Sequence, residues 1–298
     1  MTASAGAVVS TLDAKLRALR AWCAARGSLL VGFSGGIDSA FLAVTATDAI
    51  GGDNVLAVLG VSASLSTELH ERAHMLAATF GVRFREITTR ELDDANYVAN
   101  RGDRCFHCKR ELWDRLASLA RAEGLATVVD GTIADDFAEH RPGAAAGARA
   151  GVESPLAKCG FTKADVRAAA HARGLPNWNA PAAPCLASRL ATGVNVTRER
   201  LARVERAESA LRALGIAGDL RVRDLGDGAR IELPAAALPR WLAPEAVARL
   251  RDAVGGAGFT RVFLDRAGYR RGALQSDTPA AIIDITNAAN DTIAPAQA

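Results

Sequence analysis

Residues 28–40 run SLLVGFSGGIDSA. Leu29 to Phe33 form a short apolar run bounded by turn residues, the signature of a buried strand. SGGIDS (34–39) follows, and then AFLAVTATDAI, which carries on as a helix. A strand, a glycine turn and a helix start together make a phosphate-binding geometry. Gly35 and Gly36 let the backbone approach an anion. The helix start offers N–H groups and the positive end of its dipole. Ser34 and Ser39 add hydroxyls, and Asp38 is placed to hold Mg²⁺. The segment lacks G-x-x-x-x-G-K-[ST], so it is not a Walker loop. The plainer alternative is a glycine-containing strand-to-helix turn.

Outward from this loop, apolar runs alternate with helical patterns. Residues 12–26 read as an Ala/Leu/Arg helix. NVLAVLGV (54–61), VRFREIT (82–88) and ATVVDG (126–131) read as strands. STELHERAHMLAATF (66–80) and ELWDRLASLARAEG (111–124) read as the helices between them, and 138–153 as a loop. This alternation predicts an α/β protein with a doubly wound parallel sheet. GLPNWNAPAAP (174–184) breaks the pattern near a domain boundary. Beyond it, 197–215 and 243–254 read as helices, and 220–226, 229–233 and 260–265 as strands, a smaller α+β domain. The expected division is 1–188, 189–285 and a disordered tail at 286–298.

The 298 residues suit about two domains. Net charge is +3, and residues 185–298 carry all of the excess: 16 cations, every one Arg, against 13 acids. That is no nucleic-acid-binding tail, but arginine without lysine suits bidentate binding of phosphate or carboxylate. The N-terminus shows no signal peptide. No run of about 18 apolar residues suggests a membrane span. A cytoplasmic location is therefore expected, where five cysteines argue against a disulfide framework.

FSGGIDSA resembles the PP-loop of the ATP pyrophosphatases, which implies an adenine nucleotide α-hydrolase-like fold and attack on the α-phosphorus of ATP. Further stretches follow one another as in the LarE family: GTIADD (131–136), RPG (141–143), SPL (154–156), TKADVR (162–167), PCLASR (184–189), RVRDLG…ARIEL (221–233) and GYRRGAL (268–274). That family comprises the ATP-dependent sulfur transferases of nickel-pincer nucleotide cofactor synthesis. The resemblance implies Mg²⁺-ATP and a pyridinium dicarboxylate mononucleotide as substrates, sulfide or another sulfur donor, a homo-oligomer, and neither membrane nor nucleic-acid partners. It places ATP on Ser34, Gly35, Gly36, Asp38, Ser39, Asp135 and Arg141. It places the substrate phosphate on Arg221, Arg223 and Arg270, a divalent cation on Glu208 and Glu232, and the sulfur on Cys185. Asp135 and Asp136 read equally as helix N-caps. Two other readings stand beside this one: another PP-loop transferase such as a tRNA thiolase, and a non-catalytic nucleotide-binding protein on the same fold.

RCFHCK (104–109) holds Cys105 and Cys108 in C-x-x-C spacing. With Cys185 they make three thiolates, the pattern that cluster-dependent tRNA thiolases of the same superfamily use for a [4Fe–4S] cluster with one open iron. Zinc with His107 or His171 as a further ligand, a persulfide or disulfide relay, and plain structural thiols remain open. Some members of the resembled family lack this C-x-x-C and sacrifice the sulfur of the equivalent cysteine. Cys23 and Cys159 read as packed thiols. HERAH (70–74) matches H-E-x-x-H, with both histidines on one helical face, but between two strands of this sheet it reads as a solvated surface.

Overall fold

A computed structural model describes residues 3–138, 142–181, 184–270 and 281–287. The chain divides into two compact units, Met1–Tyr97 with Asp103–Ala183, and Val98–Gly102 with Pro184–Ala298. PCLASR therefore opens the second unit, whereas the sequence pattern put the boundary after 188. Residues 98–102 join that unit through backbone pairing. Val196 N–H donates to the Val98 carbonyl at 2.9 Å, and the Asn100 amide donates to Ala191 and Val194 at 2.8 and 3.0 Å. Those bonds hold Asn100 at φ 51°, a region that Asn tolerates better than most residues.

The first unit runs α1 (Ala3–Arg26), β1 (Leu29–Gly32), α2 (Ile37–Ile50), β2 (Val55–Val61), α3 (Thr67–Thr79) and β3 (Phe84–Thr88). It continues with α4 (Ala95–Ala99), α5 (Arg104–Ala122), β4 (Thr127–Val129), α6 (Pro142–Arg149), α7 (Pro155–Lys158) and α8 (Lys163–Ala172). The sheet is parallel throughout, in the order β3-β2-β1-β4. Side chains alternate across a strand, so Leu29, Val31, Val55, Ala57 and Leu59 enter a core with α1, α2, α3 and α8. Leu30, Leu56 and Val58 face Trp113 and Leu116 of α5 and Ala146 of α6. Both faces are covered, as a doubly wound sheet requires. The chain reverses its winding between β1 and β4, and ligands bind such sheets at the carboxyl ends of those strands.

Two expectations are corrected here. Residues 138–153 are not all loop, because α6 occupies Pro142–Arg149. Its alanines are strong helix formers, and packing on α5, with Ala146 buried, fixes them. The helix expected from 111 instead starts at Arg104, so RCFHCK forms its first turns.

The second unit carries α9 (Arg198–Ala213), β5 (Arg221–Asp224), β6 (Ala229–Glu232), α10 (Leu238–Trp241), α11 (Pro244–Gly256), β7 (Val262–Asp265) and β8 (Ile282–Asp284). β5 and β6 form an antiparallel hairpin, β7 joins β6 in parallel after α11, and β8 returns antiparallel. The short β8 carries no pattern that marks it in the sequence. Most of the expected tail, 288–298, lies outside the described residues. No helix among the described residues is long and apolar enough to cross a membrane.

Candidate active site

The loop after β1 is shaped from within. Ser39 Oγ accepts the Ser34 N–H at 3.1 Å and donates to the Gly36 carbonyl at 3.2 Å. Ser34 Oγ accepts the Gly36 N–H at 3.3 Å. Gly35 sits at φ 71°, and a Cβ there would lie 2.9 Å from the Leu69 carbonyl of α3. Gly36 caps α2 without a side-chain hydrogen bond, which leaves the helix start open to an external anion. The strand-end loop of β4 approaches so closely that a Cβ on Gly131 would lie 2.7 Å from Ser39 N. This backbone cradle at the carboxyl ends of β1 and β4 fits a nucleotide phosphate.

Two residues complete the cradle that the sequence did not single out. Lys163, at the start of α8, donates to both carboxylate oxygens of Asp38 at 2.7 and 2.5 Å. The ammonium neutralises Asp38 while standing beside the loop, where an incoming phosphate would compete for it. Asn177 is buried and donates to the Gly35 carbonyl at 3.4 Å, while its Oδ1 has no hydrogen-bond partner among the described residues. The signal for Lys163 was its place in TKADVR. Asn177 lay hidden in the proline-rich stretch.

Asp135 accepts the Lys163 N–H at 2.8 Å, and Asp136 accepts the Ile133 N–H at 3.1 Å. Both therefore brace the backbone around the cradle, and Asp135 fixes the start of the helix that carries Lys163. Arg141 lies outside the described residues.

Cys105 and Cys108 stand one turn apart on α5, exposed and half-buried, so both thiols share one helical face. His107 between them pairs Nε2 with Asp103 at 3.2 Å, while Nδ1, 3.2 Å from Asp94, makes no hydrogen bond among the described residues. His171 packs edge-on against Trp178 at 4.5 Å. The other two thiols of this unit lie on the opposite sheet face, Cys23 buried and Cys159 half-buried against the same core. Burial, with Cys159 nearby, pushes the Cys23 thiol up to about 11.

Cys185 belongs to the second unit, where arginines fix its loop. It caps the short turn Leu186–Arg189. Arg189 donates to the Cys185 carbonyl at 3.1 Å and makes a fork to both oxygens of Glu208, also at 3.1 Å. Glu208 also accepts the Val222 N–H at 3.0 Å, tying the turn and α9 to β5. Period-two alternation then places Arg221, Arg223, Arg230 and Glu232 on one face of the hairpin. Arg223 reaches Glu232 at 2.9 Å and the Ser188 carbonyl at 3.1 Å, and Arg230 reaches Glu232 at 2.8 Å. Arg221 lies over the Tyr269 ring at 5.0 Å. Burial, with Arg189 close by, pulls its guanidinium below the ordinary arginine value.

Four arginines (189, 221, 223, 230) here meet two carboxylates (208, 232), an excess of two positive charges on a largely buried face. Such a face has the charge and donors that suit an anion. Glu208 and Glu232, the expected cation pair, are both engaged by guanidinium groups, so a divalent ion there has to displace them. Arg270, next to the Tyr269 that underlies Arg221, places Nη2 3.5 Å from the buried Asp265.

The NAD synthase family profile matches residues 9–107. The pyridinium-3,5-bisthiocarboxylic acid mononucleotide synthase of Lactiplantibacillus plantarum is 38% identical over 244 residues, covering 82% of this chain and 87% of that protein. An uncharacterised protein of Synechocystis sp. is 40% identical over 263 residues, covering 88% of this chain and 97% of its own. The glutamine-dependent NAD(+) synthetase of Aquifex aeolicus is 42% identical over 64 residues, 22% of this chain and 11% of that enzyme.

Proposed function

The chain belongs to the LarE family, and we propose that it is an ATP-dependent sulfur transferase acting on the carboxylates of a pyridinium-3,5-dicarboxylate mononucleotide. The observation that carries this reading is the cradle of Ser34, Gly35, Gly36 and Ser39 closed by the Asp38–Lys163 pair, in a chain so similar to a synthase of that name.

Bound ATP places its phosphates against the loop and the start of α2. Lys163 offsets charge as it moves to the leaving pyrophosphate; Asp38, once Lys163 turns to the phosphates, would hold Mg²⁺, which when bound would neutralise phosphate charge. A substrate carboxylate oxygen attacks the α-phosphorus, the bond to pyrophosphate breaks, and an acyl adenylate forms. A sulfur nucleophile then attacks the acyl carbon, and AMP leaves with the electron pair of the broken C–O bond, giving the thiocarboxylate. The arginine-rich face of the hairpin receives the substrate phosphate through Arg221 and Arg223. Glu208 and Glu232 serve by fixing the arginines.

Cys185 carries the sulfur step. Cys105, Cys108 and Cys185 supply the thiolate set that suits a [4Fe–4S] cluster, which when bound would deliver an added sulfide and spare Cys185. One observation supports this set: Cys105 and Cys108 share an accessible helical face. The protein works in the cytoplasm as a homo-oligomer fed by sulfide or a sulfur donor.

The test is pyrophosphate release with ATP and the dicarboxylate mononucleotide, on anaerobically purified protein with iron and sulfide analysis. Tight ATP binding without release would leave only a nucleotide-binding protein. A colourless wild type that makes one thiocarboxylate per chain, while Cys185 loses the mass of H₂S, would replace the cluster with a sacrificial cysteine.

A further inference from the structure

HERAH, read from sequence as a solvated helix surface, is organised around a residue that the sequence did not connect to it. His70 and His74 sit at i and i+4 on α3, and Glu86 projects from β3 beside them. Each imidazole Nε2 lies 2.5 Å from the same oxygen, Glu86 Oε1. The ligand atoms of the three side chains all lie within 4.8 Å of one another. We propose that His70, His74 and Glu86 bind a divalent transition-metal ion of the zinc class.

The donor set fits such an ion. Two neutral imidazoles and one carboxylate are borderline ligands that suit Zn²⁺ and leave a fourth position for water. A tetrahedral ion about 2.0–2.2 Å from each donor spaces the donors roughly 3.3 Å apart. Glu86 and the two rings reach that spacing by side-chain rotation, because their side chains are 37%, 36% and 51% exposed and free to move. Two ring nitrogens on one oxygen at 2.5 Å are closer than the usual N–H···O separation of about 2.9 Å. A shared ion among the three donors would set them at the wider spacing of a coordination sphere.

The surroundings support the same reading. His74 stands edge-on to Phe84 at 5.0 Å, and Phe84 precedes Glu86 by two residues on the same face of β3. This apolar wall shields one side of the donors, and the rings of His70 and His74 brace each other at 4.8 Å. Glu71 of the H-E-x-x-H pattern is itself exposed, and the third ligand comes from a strand. The site therefore reads as a clamp between α3 and β3. Its position gives the clamp a consequence, because α3 backs the phosphate loop through the Leu69 carbonyl and Ala73 against Gly35.

The test titrates ZnCl₂ into the full-length, metal-free protein by calorimetry, with thermal unfolding in parallel. The parent is Cys105→Ser/Cys108→Ser/Cys185→Ser, which removes competing thiolates. One Zn²⁺ per chain is expected, with a Tm rise of about 5 °C at saturating metal. Adding His70→Gln and His74→Gln should weaken binding at least ~100-fold and abolish the rise, with the metal-free Tm unchanged within about 2 °C. Glu86→Gln, which leaves both rings in place, should weaken binding by about 10–100-fold. No binding to the parent up to about 100 μM Zn²⁺ would overturn the site, since zinc-class sites bind far more tightly. Undiminished binding in both the histidine and the Glu86 variants would do the same. Neither result bears on the sulfur-transfer reading.

Discussion

Lys163 donates to both carboxylate oxygens of Asp38, joining the start of α8 to the first turn of α2 across 125 residues of sequence. The pair is partly exposed, so its contribution to stability is at most about 1 kcal/mol. Its position beside the loop matters more. Lys163→Ala should lower pyrophosphate release by about 10²-fold or more, with Tm within about 2 °C of wild type. Steady-state kinetics beside calorimetry decides this: retained activity would remove Lys163 from the site.

Close backbone approach gives a second prediction. Gly131→Ala puts a methyl carbon 2.7 Å from Ser39 N and 3.0 Å from the Asp38 carbonyl carbon, atoms that no side-chain rotation moves. The loop must shift, at a stability cost of about 1–3 kcal/mol. ATP affinity, read by equilibrium dialysis, should fall at least tenfold. The same affinity in the variant would mean that nucleotide does not use this loop.

Arg189 positions the Cys185 loop through a fork that lysine cannot reproduce. Arg189→Lys leaves the half-buried Glu208 with a single-point cationic partner beside the Val222 N–H and should destabilise the protein by about 1–2 kcal/mol in urea unfolding. Alkylation of Cys185 should also accelerate severalfold as the loop loosens. Equal alkylation rates would show that the loop is held by other contacts.

Thiol reactivity should follow burial. Cys23 is fully buried, with its thiol pushed up to about 11, and Cys159 is raised by burial as well. At pH 8 only a minute fraction of Cys23 is thiolate. Timed iodoacetamide labelling with peptide mass mapping should therefore modify the exposed Cys105 before Cys23 and Cys159. The reverse order would contradict this packing.

Asp165 gives a pH dependence. Burial alone would raise its carboxyl, but Lys15 at 2.7 Å and the Thr162 cap hold it below its ordinary value. The unfolded chain therefore takes up that proton more readily. The contribution is complete above the unfolded value of about 3.9 and is lost as pH falls through the lower folded value. Asp165→Asn should cost about 1 kcal/mol at neutral pH through the weakened capping box and flatten the acid limb of the stability profile. An unchanged limb would assign acid sensitivity to other carboxylates.

Local pattern determined a good deal of this protein. The strand-turn-helix at 28–40, the three parallel strands that join β1, and the β5–β6 hairpin were legible because apolar periodicity and glycine placement are properties of neighbouring residues. Alternation likewise put Arg221 and Arg223 on one face. The tertiary structure decided everything that depends on residues distant in sequence. It brought Lys163 to Asp38 and Asn177 to Gly35, set Arg189 on Glu208, and aimed two histidines of one helix at a carboxylate on the next strand. It also made α6 a helix, since eight residues, seven of them Ala, Gly or Pro, become one only when packed on α5. Periodicity reports which face of an element is buried. It carries no record of which charged group waits on the opposite side, because that partner is fixed by how the elements pack and not by what stands next to it in the chain.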